Sequence, residues 1–133
     1  MEPSQARTLS AVALAYLGDA VWELHVRRNL LSPPVSAAQM HTRTVERVCA
    51  RSQASLLIDL QPHLMTEELE LVRRGRNAAM TIPRHLDPAT YRLASGLETL
   101  LGYLYLSAPE RLVSILKLCD EIYHHGPTAP PKA

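Results

Sequence analysis

The sequence contains no phenylalanine, one tryptophan and two cysteines in 133 residues. A core must therefore be built from Leu, Val, Ala, Ile and Tyr. Cys49 and Cys119 lie far apart, with no Cys-x-x-Cys pair or Cys/His cluster beside them, which argues against a zinc site or a disulfide and for two reduced thiols on buried helix faces. No apolar run approaches the ~20 residues a membrane-spanning helix needs, and the N-terminus carries no signal-peptide hydrophobic segment. Charge of one sign is also missing. The formal net charge is +1, so no global basic field marks a nucleic-acid partner. The cations present are Arg rather than Lys, 12 against 2, and Arg offers the planar fork suited to phosphate. Length and a 47% hydrophobic content fit one globular domain.

Residues 1–8 are polar and read as a flexible N-terminus. Ser10 is placed to cap a helix running to about Leu31. Within it Leu9, Ala13, Tyr16, Leu17, Ala20, Leu24 and Leu31 recur at three- and four-residue steps and predict a continuous buried stripe. Asp19, between Gly18 and Ala20, is the only charge between Arg7 and Glu23. An isolated buried charge costs about several kcal/mol, so this carboxylate must be solvated, paired or bound to a cation. Glu23 and Arg27 follow at helical spacing and fit a helix-face ion pair.

Ser32-Pro33-Pro34-Val35 breaks this helix, and Ser36 with Gln39 forms a capping box for a second one ending before Pro62. Its inner face reads His41, Val45, Val48, Cys49, Ser52, Leu56 and Leu60; its outer face carries Arg43, Arg47 and Arg51, a row facing either solvent or an anion. Thr66 caps a third helix with Glu67, Glu68 and Glu70 in its first turn, Arg73 and Arg74 in its last, and Gly75 as C-cap. From residue 73 to 92, Arg73, Arg74, Arg76, Arg84, Arg92 and His85 stand against one acid, Asp87. That local asymmetry points to an anionic partner.

Asp87-Pro88 starts a fourth helix, apolar on nearly every side after Arg92, with Glu98 as its only later charge. Gly96 and Gly102 flank that acid and would let a neighbouring backbone come close. Ser107 and Glu110 read as a capping box for a fifth helix through about Tyr123, with Leu112, Ile115, Leu116, Cys119 and Ile122 inward. The Pro-rich segment 124–133 reads as a disordered tail. No strand-period run competes. The expectation is one all-α domain of about five main helices over residues 9–123.

Asp19 and Glu98 are matched: each is a single acid among small residues on a strongly apolar helix. If the two helices cross there, the carboxylates can share a divalent cation. Few ligands, all oxygen, suit Mg²⁺, which keeps most of its waters and completes its shell from substrate phosphate. With segment 73–92 on the phosphate backbone, the chemistry suggested is metal-assisted phosphodiester hydrolysis.

At these residues the sequence resembles a known family. Leu17-Gly18-Asp19-Ala20-Val21 is similar to the signature helix of the ribonuclease III catalytic domain, and the run from Leu97-Glu98-Thr99 to Leu106 resembles its second acidic helix. Leu14-Ala15-Tyr16-Leu17-Gly18-Asp19, Ala50-Arg51-Ser52-Gln53-Ala54, Arg74-Gly75-Arg76-Asn77-Ala78 and Thr90-Tyr91-Arg92 resemble the Mini-III branch, which consists of the catalytic domain alone. The resemblance implies an all-helical homodimer with the signature helices near the interface. It implies Mg²⁺, with Mn²⁺ able to substitute, on Asp19 and Glu98 as catalytic acids, and cleavage of double-stranded RNA to 5′-phosphate and 3′-hydroxyl ends. The substrate implied is the large-subunit ribosomal RNA precursor, shaped by a ribosomal protein, in the bacterial cytoplasm or the plastid stroma. Arg74, Arg76 and Asn77 fall in a segment expected to contact RNA, with Arg73, Arg84, Arg92 and Arg51 as further candidates and Gly18, Glu23, Arg27 and Ser95 supporting the site. The longer enzymes carry glutamates where this chain has Val12 and Ala15, and an aspartate at Ser95, which leaves two acids as ligands. The rival expectation is a non-catalytic RNA-binding relative acting in ribosome assembly.

Overall fold

The structure, a computed structural model, describes residues 1–79 and 81–127. Among these it forms α1 (Pro3–Thr8), α2 (Ala11–Asn29), α3 (Ala37–Val48), α4 (Ala50–Leu60), α5 (Thr66–Ala78), α6 (Pro88–Ser107) and α7 (Pro109–His125), with no strand. The all-α expectation holds, and none of the described helices is long and apolar enough to cross a membrane.

α6 is the hub because it has almost no polar face to give to water. Asp87 caps it through Oδ2, which accepts from Thr90 N at 3.0 Å, and Pro88 opens its first turn. From Ala94 to Leu104 nearly every residue is buried, against α2, α4 and α5 and more lightly against α1 and α7. The tightest junction is with α2. A Cβ built on Gly102 would lie 2.0 Å from Leu14 O, and one on Gly18 would lie 1.7 Å from Glu98 O. Each helix thus offers one glycine to the other's carbonyl, and their backbones touch.

Several expectations are corrected. Residues 3–8 form α1, whose Ala6 is buried; Arg74 secures it by donating from Nη2 to Leu9 O at 2.9 Å and from Nη1 to Arg7 O at 3.3 Å. On α2, Ser10 caps as expected, with Oγ accepting from Ala13 N, but the buried face is Ala11, Leu14, Gly18, Trp22 and Val26. Of the predicted stripe, Leu9 and Leu17 are partly buried, whereas Ala13, Tyr16, Ala20, Leu24 and Leu31 are exposed. The helix has apolar residues on more than one side, so periodicity alone admits more than one solution.

The expected second helix is two. Cys49 adopts an extended backbone (φ −65°, ψ 154°), ending α3 and starting α4. The Arg43, Arg47, Arg51 row is broken with it. Arg47 is 6 % exposed, its guanidinium 4.0 Å from the Tyr123 ring centroid and 5.2 Å from that of Trp22, paired with Asp120 at 3.5 Å. Asp120 also pairs with His25 Nε2 at 2.9 Å and accepts from Asn29 Nδ2 at 3.0 Å, which ties α2, α3 and α7 together. The predicted inner-face residues His41 and Val45 are exposed, while Gln53, Ala54 and Leu57 are buried beside Leu56 and Leu60.

Gly75 does not end α5. The helix continues to Ala78, and a Cβ on Gly75 would lie 2.3 Å from Thr99 Oγ1, so this glycine too serves close packing on α6. Met65, one residue before Thr66, is the N-cap. Glu68 does more than complement the helix dipole: it is 1 % exposed and accepts from Arg111 Nε and Nη2 at 2.8 and 2.9 Å, bridging α5 to α7. Ser107 belongs to α6 and donates to Tyr103 O; Ala108 precedes α7 with no side-chain cap. Leu112, Ile115, Cys119 and Ile122 face inward as expected. α7 continues through His124 and His125, into the expected tail; residues 128–133 of that tail lie outside the described residues. Both cysteines are free thiols, Cys119 buried and Cys49 half-buried.

Candidate active site at a helix crossing

Asp19 follows Gly18 on α2, and Glu98 presents its carbonyl to that glycine from α6. The backbone contact therefore forces the two acids into one place. Both line a cleft of about 420 Å³ with Ala11, Ala15, Tyr16, Gly75, Tyr91, Ser95 and Thr99 among its walls. Asp19 is exposed at this cleft and Glu98 is half-buried. Burial, then a hydrogen bond and charge repulsion from Asp19, push the Glu98 carboxyl up to about 8, while a hydrogen bond from Gln53 opposes the rise. Two carboxylates this close repel, and either a proton or a cation relieves the repulsion.

The donor set fits a hard divalent cation that keeps most of its water. Among the described residues no cluster of three or more His, Cys, Asp or Glu forms, so the oxygens of Asp19 and Glu98 are the acidic ligands available. Among the described residues the lining of this cleft contains neither cysteine nor histidine.

Three of the predicted RNA-contacting residues converge. Arg76 and Asn77 at the end of α5 and Arg92 in the first turns of α6 are exposed and line one cleft of about 450 Å³. The close packing of α5 on α6 brings them together: a Cβ on Gly96 would lie 3.0 Å from Val72 O and 3.1 Å from Arg76 Cγ. The other candidates separate. Arg74 is engaged with the carbonyls of Arg7 and Leu9. Arg73 pairs with Glu70, whose carboxyl its guanidinium holds below the usual range. Arg84 is exposed in the segment between α5 and α6. Arg51 lines a different cleft with Trp22, Arg47 and Asp59. Glu23 and Arg27 form the expected ion pair at 3.0 Å. Ser95 lines the carboxylate cleft, and its carbonyl accepts from Thr99 Oγ1 at 2.8 Å.

Two residues were not singled out from sequence. Tyr91 lines the cleft four residues before Ser95 and seven before Glu98, a helical spacing that places all three on one face. Gln53 is a buried amide on α4 whose Nε2 donates to Val48 O at 3.0 Å; its signal is a polar residue at core spacing with Ala50, Leu56 and Leu60.

Comparison with known proteins agrees with this arrangement. The family model described as Ribonuclease III domain matches residues 12–109, which include both carboxylates. The chain is 58% identical over 131 residues to a Mini-ribonuclease 3 of Gloeobacter violaceus, spanning 98% of this chain and 97% of that one. It is 53% identical over 117 residues to a Mini-ribonuclease 3 of Synechococcus sp., covering 88% and 85% of the two chains. Its fold matches the crystal structure of a protein from Fusobacterium nucleatum with a TM-score of 0.78 at 28% identity, over 86% of this chain and 94% of that one. A family model that covers most of the chain, and relatives this similar from end to end, lead to one conclusion: the chain belongs to the ribonuclease III family, among its Mini-ribonuclease 3 proteins.

Proposed function

We propose that the chain is a divalent-metal-dependent endoribonuclease that cuts double-stranded RNA to 5′-phosphate and 3′-hydroxyl ends. The observation that carries this reading is the meeting of Asp19 and Glu98 at the α2/α6 crossing, with Arg76, Asn77 and Arg92 grouped on the adjoining helices. Asp19 and Glu98 would hold Mg²⁺, or Mn²⁺ in its place. When bound, the ion supplies a more acidic water and neutralises charge on phosphate oxygens.

The chain's own groups do the rest. With its carboxyl raised to about 8, Glu98 would have to give up a proton for the pair to hold a cation, so metal uptake would rise with pH. Arg76 and Arg92 bind phosphate oxygens and Asn77 a sugar or phosphate group, which sets the register of the duplex against the carboxylates. Tyr91 and Ser95 offer hydroxyls along the cleft, suited to the 2′-hydroxyls displayed in an RNA minor groove.

A homodimer is supported by the outer face of α2. Tyr16 is 76 % and Leu24 69 % exposed, with Val12 exposed near the start of the helix and Leu31 just past its end. A second copy, apposed by a twofold axis, would bury this self-complementary apolar surface and place two carboxylate pairs on one assembly, one for each strand. The substrate inferred is a large-subunit ribosomal RNA precursor, shaped by a ribosomal protein, in the bacterial cytoplasm or plastid stroma. The test is cleavage of matched duplex and single-stranded RNAs with analysis of the product ends. Duplex-dependent cuts leaving 5′-phosphates support the reading; duplex binding without cleavage under any divalent cation would favour a non-catalytic assembly factor.

A further inference from the structure

The segment Ala50-Arg51-Ser52-Gln53-Ala54 opens α4, and none of its residues lines the carboxylate cleft. Arg51, Ser55 and Asp59 follow one another at four-residue steps and stand in a row on one face of that helix. The row lines a separate cleft of about 370 Å³, walled also by Trp22 of α2, Arg47 of α3 and Tyr123 of α7. That volume suits a small organic ligand. At 1.5 Å per residue the row is about 12 Å long, with a cation at one end and an acid at the other. Among the described residues neither Arg51 nor Asp59 forms a salt bridge.

Arg47 brings a second guanidinium to this cleft. Asp120 and the rings of Trp22 and Tyr123 account for its charge and its burial. They do not account for its donors. Nη1 and Nη2 reach one Asp120 oxygen, each at 3.5 Å, and Nε makes no bond to a described residue. Among the described residues Gln53 Oε1 is the one buried side-chain oxygen or nitrogen without a partner, so Arg47 Nε is not sealed in the core and meets the open space of the cleft. A guanidinium held rigid with a free edge is a fork for an oxyanion. The rest of the lining narrows the class. Tyr123 is 52 % exposed and offers a ring on which a planar base can stack. Asp59 accepts N–H groups and repels a second anion. We propose that this cleft binds a nucleoside monophosphate, with the phosphate between Arg47 and Arg51, the base against Tyr123 and a base N–H donated to Asp59. A free nucleotide and the unpaired 5′-phosphate end of an RNA strand present this same chemistry. The inference stands apart from the nuclease reading, since it uses neither carboxylate of the helix crossing.

The test titrates the full chain, in chelator, with guanosine 5′-monophosphate, guanosine and inorganic phosphate, and follows the protein signals by nuclear magnetic resonance. Expected are saturable shifts at Arg51, Ser55 and Tyr123 with the nucleotide, and weaker binding of guanosine and of phosphate alone. Arg51→Ala, which removes an exposed side chain, should weaken the nucleotide by about 10–100-fold, the worth of a charged hydrogen bond. A 5′-phosphorylated trinucleotide that binds as tightly as the mononucleotide assigns the cleft to strand ends; one that binds more weakly assigns it to free nucleotides. No shift at millimolar nucleotide, shifts confined to Arg76, Asn77 and Arg92, equal affinity for nucleotide and inorganic phosphate, or binding unchanged in Arg51→Ala overturns the proposal. So does a wild type that ignores the nucleotide and binds an acidic peptide here, which makes the cleft a protein-docking site. Should Arg51→Ala not fold, the wild-type shift map and the comparison with phosphate decide.

Discussion

The Cβ that Gly18 lacks would lie 1.7 Å from the carbonyl oxygen of Glu98, so the backbone beside one carboxylate rests on the backbone that carries the other. The obstacle is main chain and has no rotamer to yield. Gly18→Ala must push α2 from α6, with an expected loss of about 3 kcal/mol in urea unfolding and a parallel loss of cleavage. Gly102→Ala, aimed at Leu14 O from 2.0 Å, should do the same. Gly96→Ala, with 3.0 Å to its nearest atom, should cost less.

The Glu98 carboxyl ties stability to pH. Its folded-state value of about 8 lies above the ordinary 4.5, so its contribution is complete below about 4.5 and is lost as pH rises through about 8. The metal-free protein should therefore melt at progressively lower temperature over that interval. Glu98→Gln should flatten this dependence and melt higher than the wild type above pH 8, whereas Mg²⁺ should raise melting of the wild type alone. A wild-type profile in chelator that is flat from pH 4.5 upward would remove the electrostatic account of the pair.

Glu68 is 1 % exposed and owes its charge balance to Arg111. Arg111→Ala leaves that carboxylate buried without its cation, at an expected cost of about 3–5 kcal/mol. Arg111→Ala combined with Glu68→Leu should recover most of the loss, because the unpaired charge goes with the partner. A double variant as unstable as the single one would show that the arginine acts through packing instead.

The outer face of α2 should set the oligomeric state. Leu24→Arg and Tyr16→Arg replace exposed apolar side chains with charge and leave the buried face of α2 intact. The expectation is a monomer in sedimentation velocity with unchanged helical content, against a dimeric wild type. A wild type that sediments as a monomer at micromolar concentration would count against the dimer.

The carboxylate pair was legible in the sequence because charge is conspicuous on an apolar helix, and glycines beside it mark close approach. Asp87-Pro88 and Ser10 were legible for the same local reason, since caps depend on a few neighbouring residues. Which face of α2 turns inward was not, because Trp22 and Leu14 on one side compete with Tyr16 and Leu24 on another. The break at Cys49 had no proline or glycine to announce it, and a continuous helix through that point puts Arg47 outside. In the structure the guanidinium is instead enclosed by Trp22, Tyr123 and Asp120, partners from helices far away in sequence. In the sequence Gln53 is one residue of a motif, and nothing local marks it as the buried amide that bonds the Val48 carbonyl across the break.

The most direct measurement is cleavage of one double-stranded RNA by wild type, Asp19→Asn and Glu98→Gln, each in Mg²⁺ and in chelator. If the two acids share the cation that drives hydrolysis, only the wild type in Mg²⁺ cuts well. Each variant should lose about 10³-fold or more in rate, the several kcal/mol that a metal's charge stabilisation is worth, while still binding the duplex through Arg76 and Arg92. Equal cleavage by all three proteins, or cleavage undiminished in chelator, would contradict the account.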